Sequence, residues 1–384
     1  MKFTNNPMKF GIFMGPYHKP DLNPKVSIRQ DLQTIVHLDE LGYDEAWIGE
    51  HHSGGVETIS SPELMIAAAA ELTKHIKLGT GAITLPYHNP LMVADRIVQL
   101  DYMTNGRMMF GVAPGQLVKD ATMIGLNPLD NRRRMQESLD AIIPLFKGET
   151  VTMKTDWFEL KDACLQLLPC SDFEMATVSV ISPSGPIIAG KYGMGMLSLA
   201  ATDPVGVELL LDHWDTAQKE AAKYGHTVDR SQWRLMGPMH IAETFEKALD
   251  EVRYGLSVLH DYLAHINPGP PIDWFDLENT VNTLNENGYA VIGTPEMARA
   301  QIDRLIEKTG GFGTYLLMGI DWAAFPARCN SQRLFAEEVI PWYNGTRAPL
   351  RRSFNAVMAT GYEGAQITAA AQQQVADAYQ KAKR

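Results

Sequence analysis

The chain has 384 residues, 45% of them hydrophobic and 21% charged, enough apolar material for a large core and too little charge for a disordered protein. Thirty-four Lys and Arg against forty-five Asp and Glu leave a formal charge of −11, and the longest basic run, Arg132-Arg133-Arg134, is too short to track a phosphate backbone, which argues against a nucleic-acid partner. Cys164, Cys170 and Cys329 suggest neither a disulfide framework nor a structural zinc site, and the N-terminus lacks a signal-peptide pattern; a cytoplasmic protein with no membrane partner is expected.

Short β-forming runs alternate with longer stretches of helical apolar spacing, the pattern of repeated βα units around a parallel sheet. Eight units are predicted, with strands at Lys9 to Met14, Glu45 to Gly49, Ile76 to Ile83, Arg107 to Ala113, about Glu174 to Val180, Gly195 to Leu199, near Trp233 to Ala242, and Thr314 to Ile320. The first helix is expected to bury Ile28, Leu32, Ile35 and Val36, and a last helix is expected from Ser331 to Val339. Ser61-Pro62, Asn89-Pro90, Asp203-Pro204 and Thr294-Pro295 read as helix starts, because proline suits a first-turn position whose N–H has no partner to lose. Eight such units close most simply as a (β/α)8 TIM barrel. An open doubly wound sheet is the alternative, against which Gly11 and Gly15 do not form a G-x-G-x-x-G turn.

The expected barrel domain spans 1–345, with insertions at about 149–171 and 265–288 that read as lids or as ordered loops packed on the barrel. The second holds Asn267-Pro268-Gly269-Pro270-Pro271 and then Trp274, Phe275 and Leu277, which imply an apolar guest. Residues 346–384 read as a polar C-terminal helical arm outside the barrel.

In such a barrel the residues just after the strands carry chemistry. Strand two ends in Glu50-His51-His52, which could give a general base, an orienting carboxylate and a second donor. The same residues could start a metal site whose further ligands would lie at other strand ends such as Thr84 to His88, Asp321 and His240, or could be a surface His pair with a structural Glu. Ser182-Pro183-Ser184-Gly185 opens a helix and could hold a phosphate or be an ordinary cap. Gly79-Thr80-Gly81-Ala82 is small where a flat aromatic ring would need close backbone approach, although small residues also simply fill barrels.

The stretches Trp47 to His52, Gly79 to Pro90, Leu100 to Val112 and Ser182 to Gly185 together resemble the bacterial luciferase-like superfamily of flavin-dependent monooxygenases, over roughly Lys9 to Gly345. Val291 to Pro295, Gly310 to Gly313 and Ser331 to Pro341 resemble its limonene and alkanal monooxygenase-like branch. The resemblance implies binding of reduced FMN delivered by a separate NAD(P)H:flavin reductase, a C4a-(hydro)peroxyflavin, insertion of one atom of O2 into a small apolar terpene, ketone or aldehyde, and a homodimer. It also implies Glu50, His51 and His52 as the catalytic group, and Gly81, Ala82 and Ala113 as backbone beside the flavin ring. Ser182, Ser184 and Gly185 would contact its phosphate, with an arginine ahead of Glu137. Arg133 fits by its spacing to that glutamate and is preferred, while Arg132 fits when counted from Gly125. Pro114 stands where luciferases proper carry a phosphate-binding arginine. An F420-dependent reductase or dehydrogenase on the same scaffold, and a non-catalytic flavin-binding protein, are the competing readings.

Overall fold

Eight parallel strands form in the computed structural model, which describes residues 7–265 and 276–383. They are β1 (Lys9–Met14), β2 (Glu45–Ile48), β3 (Lys77–Thr80), β4 (Met108–Ala113), β5 (Glu174–Ser179), β6 (Gly195–Ser198), β7 (Trp233–Gly237) and β8 (Thr314–Gly319). Each pairs with its sequence neighbours, β1 pairs with β8, and the β3–β4 pairing completes the ring, so the open-sheet alternative is excluded. The flanking helices used below are α1 (Pro24–Glu40), α2 (Pro62–Ala70), α3 (Pro90–Met103), α4 (Asn131–Phe146) and α5 (Ser184–Tyr192).

The expected strands are present, with two interruptions. Strand three stops at Thr80 and resumes as Ile83–Thr84 beyond a cis Gly81–Ala82 peptide. Strand seven divides at Pro238, which has no N–H for the ladder; its second piece, Met239–Ile241, pairs instead with Val291–Gly293. Three proline starts open helices at Pro62, Pro90 and Pro295. The fourth helix begins at Gly206, where the Asp203 carboxylate receives the N–H groups of Val205 and Gly206. The last barrel helix begins earlier than expected, at Phe325.

The buried face of α1 differs from the expected one. Ser27, Asp31, Thr34, Ile35 and Leu38 point inward while Ile28 is 44% exposed. Polar residues won that face because they have fixed partners: Asp31 binds His18 at 3.0 Å, and Asp39 receives the N–H groups of Lys74, His75 and Ile76.

Inside the barrel, at the strand starts, Arg234 donates to both oxygens of Glu45 (2.7 and 3.0 Å) and to Glu174. Trp47 lies above, its indole N–H bonded to Glu45 at 2.9 Å and its ring 4.9 Å from the guanidinium. Burial opposes both carboxylates, yet Arg234 holds them down, Glu174 to about 2. The smallness of Gly79 has its cause here, since a Cβ on Gly79 would lie 2.7 Å from the Trp47 ring. Trp47 then packs with Met109, Ala176, Leu197, Met236 and Leu316 as the central core layer.

The first insertion is an ordered element packed on the barrel, and of the second only residues 276–288 are described in full. Residues 149–171 hold an antiparallel hairpin, Val151–Lys154 with Glu159–Ala163, whose Phe158, Leu160 and Ala163 pack on Ala141 of α4. In 265–288, the helix Leu277–Glu286 buries Val281 and Leu284, and Leu277 packs against the same cluster, which includes the cavity-lining Tyr17 and Tyr289. Asn267 to Pro271, Trp274 and Phe275 lie outside the described residues. The chain divides into two compact units, Met1–Val339 and Ile340–Arg384. The second contains helices Arg347–Ala359 and Glu363–Ala382. Among the described residues no helix is long and apolar enough to cross a membrane.

Candidate active site

At the C-terminal ends of the strands lies a cavity of about 1250 Å³, more than one drug-sized ligand fills. Glu50, His51, Gly81, Ala82, Ala113, Ser182, Ser184 and Gly185 all line it. His52 and Arg133 do not.

Glu50 is almost fully buried just past β2. It accepts from His52 Nε2 (3.0 Å), His88 Nε2 (2.6 Å) and the backbone N–H of Thr84 (2.7 Å). Burial works against its charge, but these bonds hold its pKa below the ordinary carboxylate value. His52 therefore stands behind Glu50, and that same bond raises its pKa above the ordinary histidine value.

His51 is held by neither neighbour. Its Nδ1 lies 3.2 Å from Asp120 Oδ2 and its Nε2 lies 3.5 Å from Glu57 Oε2. Asp120 sits on the short helix Val118–Met123 and also receives the Ser53 hydroxyl. Burial lowers the imidazole pKa, but Glu57 and Asp120 more than offset this, so it titrates above the ordinary value. Such a group can hold and deliver a proton at the cavity wall. Asp120 and Glu57 are neighbours of His51 that strand-end reasoning missed, whereas His88 stands at the end of strand three, where that reasoning looks, and bonds Glu50. Asp120 lies seven residues beyond β4, and no local pattern marks it.

At the opposite end, α5 starts without a capping side chain, and the Ser182 and Ser184 hydroxyls lie 2.8 Å apart beside its first turn. A Cβ on Gly185 would come 2.4 Å from the Val178 carbonyl oxygen, so only glycine lets this helix start so close to β5. Arg132 also lines the cavity here, its Nε 3.4 Å from Ser184 Oγ. Arg133, the residue preferred from the sequence, does not line the cavity: its guanidinium pairs with Asp156 of the hairpin (2.7 and 2.9 Å) and with Glu137 (2.8 Å). The i, i+4 spacing to Glu137 that favoured it reports a surface ion pair.

Between these ends the walls are largely apolar, with Phe13, Val178, Leu199, Met236 and Met318 below and Pro238 and Tyr289 beside them. His240 does not extend the site toward a metal centre; it bonds Glu251 at 2.8 Å, and no metal-binding group of three His, Cys, Asp or Glu occurs among the described residues.

At the barrel mouth a carboxylate-bound histidine, a serine-flanked helix start and largely apolar walls face one cavity. Residues 8–311 match the luciferase-like monooxygenase family; the chain belongs to it and is a flavin-dependent monooxygenase. It is similar to limonene 1,2-monooxygenase of Rhodococcus erythropolis, 50% identical over 368 residues that cover 95% of this chain and 94% of the relative. It is also similar to 4-hydroxyprotoasukamycin monooxygenase of Streptomyces nodosus subsp. asukaensis, 41% identical over 345 residues, with 88% and 93% covered. In structure it resembles the oxygenating constituent of 3,6-diketocamphane monooxygenase from Pseudomonas putida, a type II Baeyer-Villiger monooxygenase solved with FMN. The TM-score is 0.72 at 25% identity, covering 87% of this chain and 98% of that one.

Proposed function

We propose that this protein uses reduced FMN, supplied by a separate NAD(P)H:flavin reductase, to insert one atom of O2 into a small apolar organic substrate of the terpene, ketone or aldehyde class. The observation that carries the reading is one cavity with an anion cradle at one end, a protonatable histidine at the other and apolar walls between. The residues fit the cofactor. The uncapped start of α5, Ser182, Ser184 and Arg132 suit its phosphate, and Gly81, Ala82 and Ala113 suit its ring. When bound, the reduced flavin supplies the two electrons and two protons that send one oxygen atom into product and the other into water.

The chain's own residues do the rest. His51 holds a proton at the cavity wall, Asp120 fixes its ring, and Glu50 organises His52, His88 and Thr84 behind it. The apolar walls keep water from the reacting oxygen and receive the substrate. Limonene and diketocamphane, after which relatives are named, are compact and apolar, in keeping with such walls. Exposed Leu64 on α2 and Met92 and Tyr102 on α3 support a homodimer formed through barrel helices.

Anaerobic titration with reduced FMN and, separately, reduced F420 tests the reading, followed by 18O2 and a panel of cyclic terpenes, ketones and aldehydes. Tighter binding of reduced FMN and a product carrying one 18O atom are expected. Binding of F420 alone, with substrate turned over in the absence of oxygen, replaces oxygen transfer by hydride transfer. Flavin binding with no substrate-dependent oxygen uptake leaves a flavin carrier.

A further inference from the structure

His51 meets a carboxylate at each ring nitrogen, and the two contacts differ in kind. At 3.2 Å, Asp120 is in hydrogen-bond reach of Nδ1 and sets the ring's orientation. At 3.5 Å, Glu57 is too far from Nε2 for a committed hydrogen bond but well within ion-pair range. Glu57 thus acts through its charge and leaves Nε2–H free for an acceptor in the cavity that both residues line.

The fold makes room for this carboxylate. A Cβ on Gly15 would lie 2.7 Å from Glu57 Oε1, so the chain after β1 is bare where Glu57 sits. The loop that carries Glu57 is tied at both ends, by His18 N–H to the Val56 carbonyl (2.9 Å) and His51 N–H to the Ile59 carbonyl (3.0 Å). The charged groups facing His51 are Asp120 from the Val118–Met123 helix, Glu57 from its own loop and Glu50 behind it; Glu50 is itself compensated by His52 and His88. Burial, with Asp120 and Glu50, pushes Tyr87 up to about 12, so its phenol stays neutral.

We propose that Glu57 is a positioning residue that holds His51 as an imidazolium at the cavity wall, making Nε2–H a proton donor to the reacting oxygen and committing the site to alkenes over carbonyl compounds. An oxygen that carries a proton is electrophilic and adds to an electron-rich C=C bond, whereas the deprotonated oxygen is a nucleophile suited to C=O. Alkene, O2, two electrons and two protons give epoxide and water: both new C–O bonds go to one oxygen, the O–O bond breaks, and the second oxygen leaves as water. The substrate assignment rests on the reduced-flavin reading; the assignment of Glu57 does not.

The test begins with the full-length protein without flavin, following the His51 ring by NMR across pH, its signal identified by loss in His51→Asn. The wild-type midpoint is expected above the ordinary value of about 6.5, to move down in Glu57→Gln, and to keep most of its elevation in Glu57→Asp. A wild-type midpoint at or below the ordinary value overturns the proposal, as does a Gln variant that titrates like wild type. Should Glu57→Gln fail to fold, a Glu57→Asp midpoint that drops to the ordinary value with the fold intact also overturns it.

The second readout supplies reduced FMN and an equimolar mixture of a cyclic alkene and a cyclic ketone. Epoxide is expected to exceed lactone in wild type, and the ratio to fall in Glu57→Gln. An unchanged ratio, or lactone in excess in wild type, overturns the substrate assignment. Wild type that neither binds reduced FMN nor consumes oxygen removes the proposed function together with that assignment, and the His51 midpoint then stands by itself.

Discussion

The two ends of this barrel each concentrate charge, and they do so with different chemistry. At the strand starts, Glu45, Arg234 and Glu174 form a guanidinium–carboxylate network sealed beneath Trp47. At the strand ends, Glu50, Glu57 and Asp120 are paired with histidines beside a cavity. A guanidinium never gives up its proton near neutral pH, so the floor is electrostatically fixed. Imidazole changes charge in the working range, so the mouth can move protons. The same carboxylates support structure at one end and chemistry at the other because of their partners.

The largest effect should separate the ends outright. Arg234→Ala strands the buried Glu45 carboxylate, while Glu174 keeps Lys77 at 2.9 Å, and is expected to destabilise the fold by about 3–5 kcal/mol in chemical denaturation. His51→Ala, which removes one partner of Asp120 and Glu57 beside an open cavity, is expected to cost less, about 1–3 kcal/mol. A tolerant Arg234→Ala would mean that the floor is not what holds the barrel. In turnover the order reverses: His51→Ala is expected to cut product formation about 10²- to 10⁴-fold with reduced-flavin binding preserved, as read by coupled product and oxygen assays.

Smaller effects sharpen the picture within the mouth. Arg132→Ala should weaken reduced-flavin binding about tenfold, the worth of a charge-assisted contact, while Arg133→Ala, on its exposed ion pairs, should leave the dissociation constant unchanged. Equal effects from both would place the phosphate elsewhere.

The smallest effect is a pH trend. Burial disfavours charge on His18, yet hydrogen bonds to Asp31 and Asp321 push it up to about 9. Because the folded pKa is the higher one, its stabilisation is complete below the unfolded value of about 6.5 and is lost as pH rises toward about 9. Thermal midpoints should decline over that window in wild type. The decline should be shallower in His18→Gln, where His51 and His52 still titrate above the ordinary value while Arg234, Glu45 and Glu174 do not titrate in that window.

The fold was legible because its signals are local. Strand-length apolar runs, proline first turns and the Gly81-Ala82 stretch place most elements within a residue or two. The face of α1 was not legible, because Asp31 and Asp39 are buried by partners far away in sequence, His18 and the 74–76 backbone. The site divides along the same line. Glu50, His51 and the Ser182–Gly185 turn follow strands directly and could be found by position. Asp120 reaches His51 only through tertiary folding, and Glu57 through the turn of a loop that no local pattern marks. Choosing between Arg132 and Arg133 needed to know which side of α4 faces the hairpin.

Phe13, Val178, Leu199, Met236 and Met318 belong both to the cavity wall and to the core layer around Trp47. Substrate range and fold integrity are therefore written into the same side chains. Excavating the pocket downward removes core contacts at roughly 24 cal/mol per Å³ of void. The rim residues Leu129 and Val205 are 86% and 59% exposed, and changes there carry almost no such penalty. Divergence toward new guests should therefore run sideways along the rim, with the interior layer as an inherited boundary on how large a molecule this lineage can accept.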